Sequence, residues 1–167
     1  LSLVSHWLED SFYVEGHLLE MLDEISKSTG ESVFLCWQSD LQMQITEAKN
    51  GARTESSFVV RRQIPLFDSV SGLTALTLKR DVEIAQLAER ANTMGKSSGA
   101  KIDLPSAMDR IRTFRNQGYG VGYDFPQQGV GKLAFALRPR TVNRPLVMLV
   151  AGPTERIKSD TKAITQA

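Results

Sequence analysis

The order in which two hydrophobic periods follow each other along the chain is the feature that most constrains its fold. Residues 32–37 (SVFLCW) form a dense apolar run of strand length, and residues 41–46 alternate apolar with polar side chains. The middle third changes to helical spacing, after which residues 132–137 (KLAFAL) and 146–150 (LVMLV) return to strand patterns. Strands, then helices, then strands indicate an α+β domain built around an antiparallel sheet.

Turn and cap signals divide this pattern into elements. The Asn50-Gly51 pair is typical of a hairpin turn and predicts that strands over 41–48 and 55–60 pair with each other. Gly30 is a natural helix stop, and Gly152-Pro153 is expected to end the last strand. The other predicted elements are helices over 17–29, 72–78, 81–93 and 105–117, a loop over 61–71, strands over 119–124 and 132–137, and a C-terminal helix.

Composition excludes several classes of protein. The chain has 167 residues, 41% apolar and 23% charged, which suits one domain with a sizeable core and excludes a disordered tail or a collagen-like fibre. Its 20 basic and 19 acidic residues give a net charge of +1, which disfavours a strongly basic nucleic-acid-binding body. Basic clusters at Lys79-Arg80 and at Arg110, Arg112 and Arg115 are therefore interpreted as solvated helix faces.

Targeting and metal-binding signals are missing from the sequence. No run of about 18 apolar residues is present, and the first ten residues lack the pattern of a secretory signal, so a cytoplasmic location is expected. The sequence starts at Leu1 rather than at a methionine, which suggests a fragment of a longer chain. The single cysteine, Cys36, lies in an apolar run, and His6 and His17 stand apart from other candidate ligands, so we expect no metal, no cofactor and no catalytic thiol.

Four short motifs follow one another along the chain in an informative order. They are residues 28–33 (STGESV), 64–76 (IPLFDSVSGLTAL), 111–120 (IRTFRNQGYG) and 151–156 (AGPTER). Together they resemble the effector-binding domain of IclR-type transcriptional regulators, from about Leu18 to the C-terminus. The resemblance implies that residues 1–16 are the end of a linker helix and that residues 17–167 are the effector-binding domain.

The resemblance also implies a fold and a role. The fold would be GAF-like, a curved antiparallel β-sheet flanked by helices, with a small-molecule pocket on one sheet face. The role would be to bind a small organic effector and to form a homodimer or homotetramer, with ligand binding modulating a winged helix-turn-helix domain that these 167 residues do not contain. Trp7 and Leu8, in a segment with little core to cover them, also suggest self-association.

The family's effector pocket maps onto this chain with departures. Where the family frequently has an aspartate, a cysteine and two small hydroxyl residues, this chain has Gly122, Lys132, Leu149 and Ala151. The pocket has thus lost an acid and two hydroxyls and gained a cation, which favours an acid with an apolar body over a compact keto acid. The predicted effector-binding residues are Ser56, Phe58, Ile64, Ser69, Val70, Ser71, Gly122, Lys132, Leu149 and Ala151.

Several of these residues have two interpretations. Ser69 or Ser71 either helps to bind an anion or simply caps the helix that starts near Gly72. Lys132 either pairs with an anionic effector or extends from a strand end into solvent. Arg53 is a weaker second cation, and Asp68 either contacts a ligand or pairs with a nearby arginine.

Three functions are compatible with these sequence features to different degrees. The first is the ligand-sensing domain of a transcriptional regulator, and the second is a free-standing GAF-like module that acts through ligand or protein contacts without DNA. An enzyme using Lys132 or Cys36 is disfavoured, because no acid–base partner is arranged for either residue.

Overall fold

The structure is a computed structural model that describes residues 15–53, 63–94, 101–138 and 145–166, with side chains described from Leu18 to Thr161 within these ranges. In chain order the helices are α1 (Glu15–Thr29), α2 (Val70–Leu76), α3 (Asp81–Met94), α4 (Leu104–Gln117) and α5 (Thr154–Gln166). The strands are β1 (Ser32–Ser39), β2 (Gln42–Lys49), β3 (Gln63–Pro65), β4 (Gly120–Tyr123), β5 (Val130–Leu137) and β6 (Leu146–Pro153).

The six strands form one curved antiparallel sheet in the order β3-β2-β1-β6-β5-β4. The first and last of these strands meet at the centre of the sheet, where β1 pairs with β6 from Ser32 opposite Ala151 to Trp37 opposite Leu146. The α+β architecture with a curved antiparallel sheet, predicted from the order of the hydrophobic periods, is confirmed.

The alternating side chains of the strands build two separate cores. On one face Leu133, Phe135 and Leu137 of β5 pack with residues of β1, β6, α1 and α5. On the other face Ala134 packs with Leu149 and with α2, α3 and α4. The predicted alternation within residues 132–137 is therefore correct, and it sorts the helices onto opposite sides of the sheet.

A buried ion pair links two of the motifs that carried the resemblance. The Glu31 side chain is 0% exposed, and its carboxylate accepts hydrogen bonds from Arg156 Nε at 2.6 Å and Nη2 at 3.1 Å. Arg156 also donates to the carbonyl oxygen of Arg53 at 3.1 Å. This bidentate pair joins the start of β1 to the start of α5, so both motifs support the fold at one end of the sheet.

Several predicted boundaries need correction. Residues 63–65 form a short edge strand rather than part of a loop, a position that tolerates Pro65 because its missing N–H faces away from the ladder. Helix α2 starts two residues before Gly72, because Ser69 is its N-cap. Strand β6 includes Gly152 and ends at Pro153, and α5 starts directly after it, so Gly152-Pro153 ends the strand as predicted.

The predicted hairpin lies partly outside the described residues. Strand β2 pairs with β1 on one side and with β3 on the other. Residues 55–60, the predicted partner across the Asn50-Gly51 turn, are not described, and neither are Trp7 and Leu8.

The interpretation of the basic clusters as solvated faces is wrong for Arg115. Its guanidinium donates to the carbonyl oxygen of Thr77 at 3.1 Å and to that of Lys79, and it pairs with Asp81 at 2.6 Å. This side chain therefore holds the corner between α2 and α3 against α4.

Candidate functional site

A row of three paired residues crosses the sheet on the face that α2 covers. Lys132 of β5 lies opposite Gly122 of β4 and opposite Ala151 of β6. Cross-strand partners share a face, so the half-buried lysine stands between a glycine and an alanine. The register thus brings together three of the sequence-predicted residues that are far apart in the chain.

Val70 explains why position 122 is a glycine. A Cβ atom added to Gly122 would lie 2.4 Å from Val70 Cγ2, so any larger side chain there would displace the start of α2. The space beside Gly122, which a larger side chain at this position would need, is therefore occupied by the Val70 side chain of α2. Val70 and Gly122 are both buried, and they close the row at its β4 end.

The two serines at the start of α2 form a cap. Ser69 Oγ accepts from Gly72 N at 3.0 Å and donates to the carbonyl oxygen of Pro65 at 2.8 Å. The Ser71 hydroxyl donates to Ser69 Oγ at 3.4 Å, and both serines are buried. The capping interpretation of Ser69 is therefore correct, and this hydroxyl is already committed to the backbone.

The other predicted site residues occupy different positions. Leu149 is buried beside Ala134 and Phe34 as part of the core on the α2 face. Ile64 lies on β3 opposite Met43 and packs against that core from the far edge of the sheet. Ser56 and Phe58 lie outside the described residues.

Arg53 and Asp68 lie away from this row. The Arg53 side chain packs against Gly30, so close that a Cβ atom on the glycine would lie 2.9 Å from Arg53 Cδ. Arg53 is therefore placed with the Glu31–Arg156 pair rather than with Lys132. Asp68 is exposed on the segment before α2.

A groove of about 630 Å³ opens beside the site, at the junction of the segment before α2 with α3, α4 and the loop after β4. Sequence reasoning missed it because its walls come from separate segments that only the fold brings together. The available signal was the set of charged residues around the start of α4. The lining residues are Leu41, Pro65, Leu66, Phe67, Asp68, Leu73, Ala91, Lys101, Ile102, Asp103, Ser106, Ala107, Arg110 and Phe125.

Cys36 is buried, and potential metal ligands are dispersed in the described part of the chain. Burial raises the pKa of the Cys36 thiol to about 12, which keeps it protonated and unreactive at neutral pH. Across residues 15–53, 63–94, 101–138 and 145–166, histidine, cysteine and carboxylate side chains do not gather in a group of three that could hold a metal ion.

Among the described residues, no helix combines the length and the apolar character needed to cross a bilayer.

Known structures identify the class to which this fold corresponds. The effector domain of the transcriptional regulator IclR from Acinetobacter sp. ADP1 superposes with a TM-score of 0.77 and 27% identity, over 89% of this chain and 87% of that one. The C-terminal domain of a transcriptional regulator from Vibrio cholerae gives a TM-score of 0.73 at 17% identity, over 95% and 93% of the two chains. The Thermotoga maritima IclR gives 0.71 at 15% identity, over 87% of this chain and 61% of that regulator.

The likeness inferred from the four motifs is confirmed by these structures, and the chain has the fold of an IclR-type effector domain. These structural neighbours are transcriptional regulators rather than enzymes. No protein-family model and no curated protein sequence matches the chain.

Proposed function

We propose that this chain is the effector-sensing and self-associating domain of an IclR-type transcriptional regulator, in which ligand binding modulates DNA binding by a winged helix-turn-helix domain. Two findings support the proposal. The fold of IclR-type effector domains extends over most of the chain, with 27% identity to the Acinetobacter domain. The face of the sheet under α2 also carries a cation in a setting that suits an anionic ligand.

The row Gly122–Lys132–Ala151 is the observation that carries the ligand site. Because both cross-strand neighbours are small, they leave the lysine's stem and ammonium more room than large neighbours would. A charge-assisted hydrogen bond from an ammonium to a carboxylate contributes about 1–3 kcal/mol. Lys132 is thus the proposed anchor of an acidic effector, with Val70 and Ser71 at the start of α2 facing it.

The rest of the proposed site favours an acid with an apolar body. Leu149 and Ala151 replace the small hydroxyl residues that the family pattern offers to a compact polar acid. The proposed apolar walls beside Lys132 are Leu149 and Ala151, with Phe58 and Ser56 as further proposed members. Ile64 lies at the far edge of the sheet, and the Ser69 hydroxyl supports the site through the cap of α2 rather than by contact with the ligand. Burial of apolar surface must supply most of the affinity, because a single lysine contact does not suffice for tight binding.

A calorimetric titration with hexanoate and with uncharged hexanamide tests the site. We expect hexanoate to bind at least tenfold more tightly than the amide, and Lys132→Met to remove that preference. Lys49→Met is the matched control, because Lys49 is also a half-buried strand lysine but lies opposite Val33, on the α1 and α5 face. A preference for hexanoate that persists in Lys132→Met, or that disappears in Lys49→Met, would contradict the proposed site.

Self-association and coupling to DNA need separate measurements. Multi-angle light scattering at tens of micromolar is expected to show a homodimer or homotetramer, and a strict monomer would contradict this part of the proposal. Sequencing the reading frame upstream of Leu1 is expected to reveal a winged-helix domain. A frame that encodes none would instead support a free-standing GAF-like module.

A further inference from the structure

The groove beside α4 has the size and lining of a small-molecule site. Its volume of about 630 Å³ lies within the ~300–1,000 Å³ that ligand pockets usually have. Leu66 and Leu73 are buried at its wall, and the half-buried rings of Phe67 and Phe125 also line it. Of the ten sequence-predicted effector residues, the eight that the structure describes are all absent from this lining, so the groove adjoins the Gly122–Lys132–Ala151 row through Phe125 but does not include it.

Arg110 differs from the other arginines of α4. Arg112 and Arg115 both pair with Asp81, at 3.8 Å and 2.6 Å. Among the described residues Arg110 has no carboxylate partner, and its guanidinium carbon instead lies 4.1 Å from the centre of the Phe125 ring. A guanidinium is planar by its own delocalisation, which suits two parallel hydrogen bonds to a carboxylate, and the contact with the aromatic ring holds this one in position.

The loop that carries Phe125 is itself fixed. Asp124 accepts hydrogen bonds from Thr154 Oγ1 and from Gly129 N, both at 2.7 Å. The hydrogen bond from the Thr154 hydroxyl lowers the pKa of Asp124 most, and the hydrogen bond from Gly129 N lowers it further. The carboxylate therefore stays ionised and keeps both hydrogen bonds, which hold the loop in place. The position of the Phe125 ring beneath Arg110 is therefore fixed by the fold without a ligand.

Two cations and two carboxylates line the groove. Lys101 lines the groove as a second cation and makes no ion pair among the described residues. Of the two acids, Asp103 is committed as the N-cap of α4, where its side chain accepts from Ser106 N at 3.4 Å. Asp68 is the second carboxylate, so the lining is balanced in formal charge, and an anion would be bound locally by Arg110 and Lys101, which make no ion pair among the described residues.

We propose that this groove binds an aromatic carboxylate, independently of the sheet-face site. The carboxylate would pair with Arg110 and Lys101, and its ring would lie against Phe125, Leu66 and Leu73. An aromatic body is favoured over a linear one because both Phe67 and Phe125 line the groove and can meet a ring edge-on or offset. Nothing in this inference depends on Lys132.

Calorimetric titration with 2-naphthoate and with uncharged 2-naphthamide tests the proposal. We expect the naphthoate to bind at least tenfold more tightly than the amide, and Arg110→Met to weaken naphthoate binding about tenfold or more. Lys101→Met should weaken it severalfold, and Arg110→Lys should give an intermediate loss because the charge remains without the planar fork. Arg112→Met is the matched control and should leave the affinity within about twofold.

The outcomes separate the two proposed sites. Loss of naphthoate binding in Arg110→Met but not in Lys132→Met supports the groove, whatever happens to hexanoate. Loss in Lys132→Met with Arg110→Met unaffected would overturn the groove and assign the aromatic acid to the sheet face. Absence of naphthoate binding at millimolar concentration would also overturn it, and unchanged thermal melting of each variant excludes misfolding as the cause.

Discussion

The two faces of the sheet are built for different purposes. On the α1 and α5 face, β5 contributes Leu133, Phe135 and Leu137, large side chains that fill a closed core. On the α2 face, the same strand contributes Lys132 and two alanines, and β4 contributes glycines. A single eight-residue strand thus supplies bulk to one side and space with a charge to the other.

The comparison separates residues that stabilise the domain from residues that give it a site. Large apolar side chains and the Glu31–Arg156 pair lie on the first face, where they remove surface from water or satisfy a buried charge. The second face has a core of its own, but its small residues allow α2 to approach the sheet closely. We therefore expect substitutions of the large side chains in either core to affect stability most, and substitutions in the row of Lys132 and its small neighbours to affect binding most.

Breaking the buried ion pair should have the largest effect on stability. Arg156→Met would leave the Glu31 carboxylate buried without its bidentate partner, which costs about 3–5 kcal/mol in comparable cases. Urea denaturation measures the loss as a lower midpoint. Lys158→Met is the control, since the pair of Lys158 with Glu155 is exposed and its loss is expected to leave the midpoint nearly unchanged. Similar midpoints for the two variants would show that the pair does not hold this end of the sheet.

Removing a large side chain from the first face should have the next largest effect. Leu133 is fully buried, so Leu133→Ala is expected to cost about 2–5 kcal/mol through lost burial and a cavity. Its neighbour on the opposite face provides the comparison, because Lys132→Met should change the free energy of unfolding by less than about 1 kcal/mol. If Lys132→Met proved as destabilising as Leu133→Ala, the division of labour between the faces would be wrong.

A third change tests how tightly α2 lies on the sheet. Gly122→Ala would place a methyl group against Val70 and is expected to cost about 1–3 kcal/mol by overpacking. Combined with Val70→Ala, the cost should be smaller than the sum of the two single changes, by about 0.5 kcal/mol or more. A double-mutant cycle in urea measures this coupling, and strict additivity would mean that the two side chains do not meet.

The smallest effect is expected at the cap of α2. Ser69→Ala removes the side-chain acceptor for Gly72 N and should cost about 1 kcal/mol. Ser69→Thr is the control, because it retains a hydroxyl that can accept from Gly72 N and donate to the carbonyl oxygen of Pro65. If Ser69→Ala were neutral in thermal melting, the hydroxyl would not be needed to start the helix.

The sequence predicted more of the fold than of the site. Alternation within residues 132–137 placed the correct side chains on each face, because a strand's period of two is a local property. The sequence offered Ser69 or Ser71 as the cap of this helix, and in the structure the cap is Ser69. The edge strand at Gln63–Pro65 was missed, because three residues carry too little pattern and its pairing with β2 is a long-range event.

The groove and the Glu31–Arg156 ion pair could not be predicted from local sequence patterns. Glu31 and Arg156 belong to separate sequence motifs, yet their side chains are hydrogen-bonded to each other across 125 positions of sequence. Arg110, Arg112 and Arg115 have the same charge on one helix, and nothing in their spacing distinguished the two that pair with Asp81 from the one over Phe125. Such differences depend on which distant groups are brought within a few ångströms.

By itself, the sequence determined the class of fold, the positions of most helices and strands, and the small residues on one face of β5. Tertiary structure alone decided which residues meet: that Lys132 stands between Gly122 and Ala151, that Val70 fills the space above the glycine, and that a groove opens beside α4. The physical reason is that hydrophobic period and turn chemistry act over a few neighbouring residues, whereas sites arise from strand register and helix packing between distant segments.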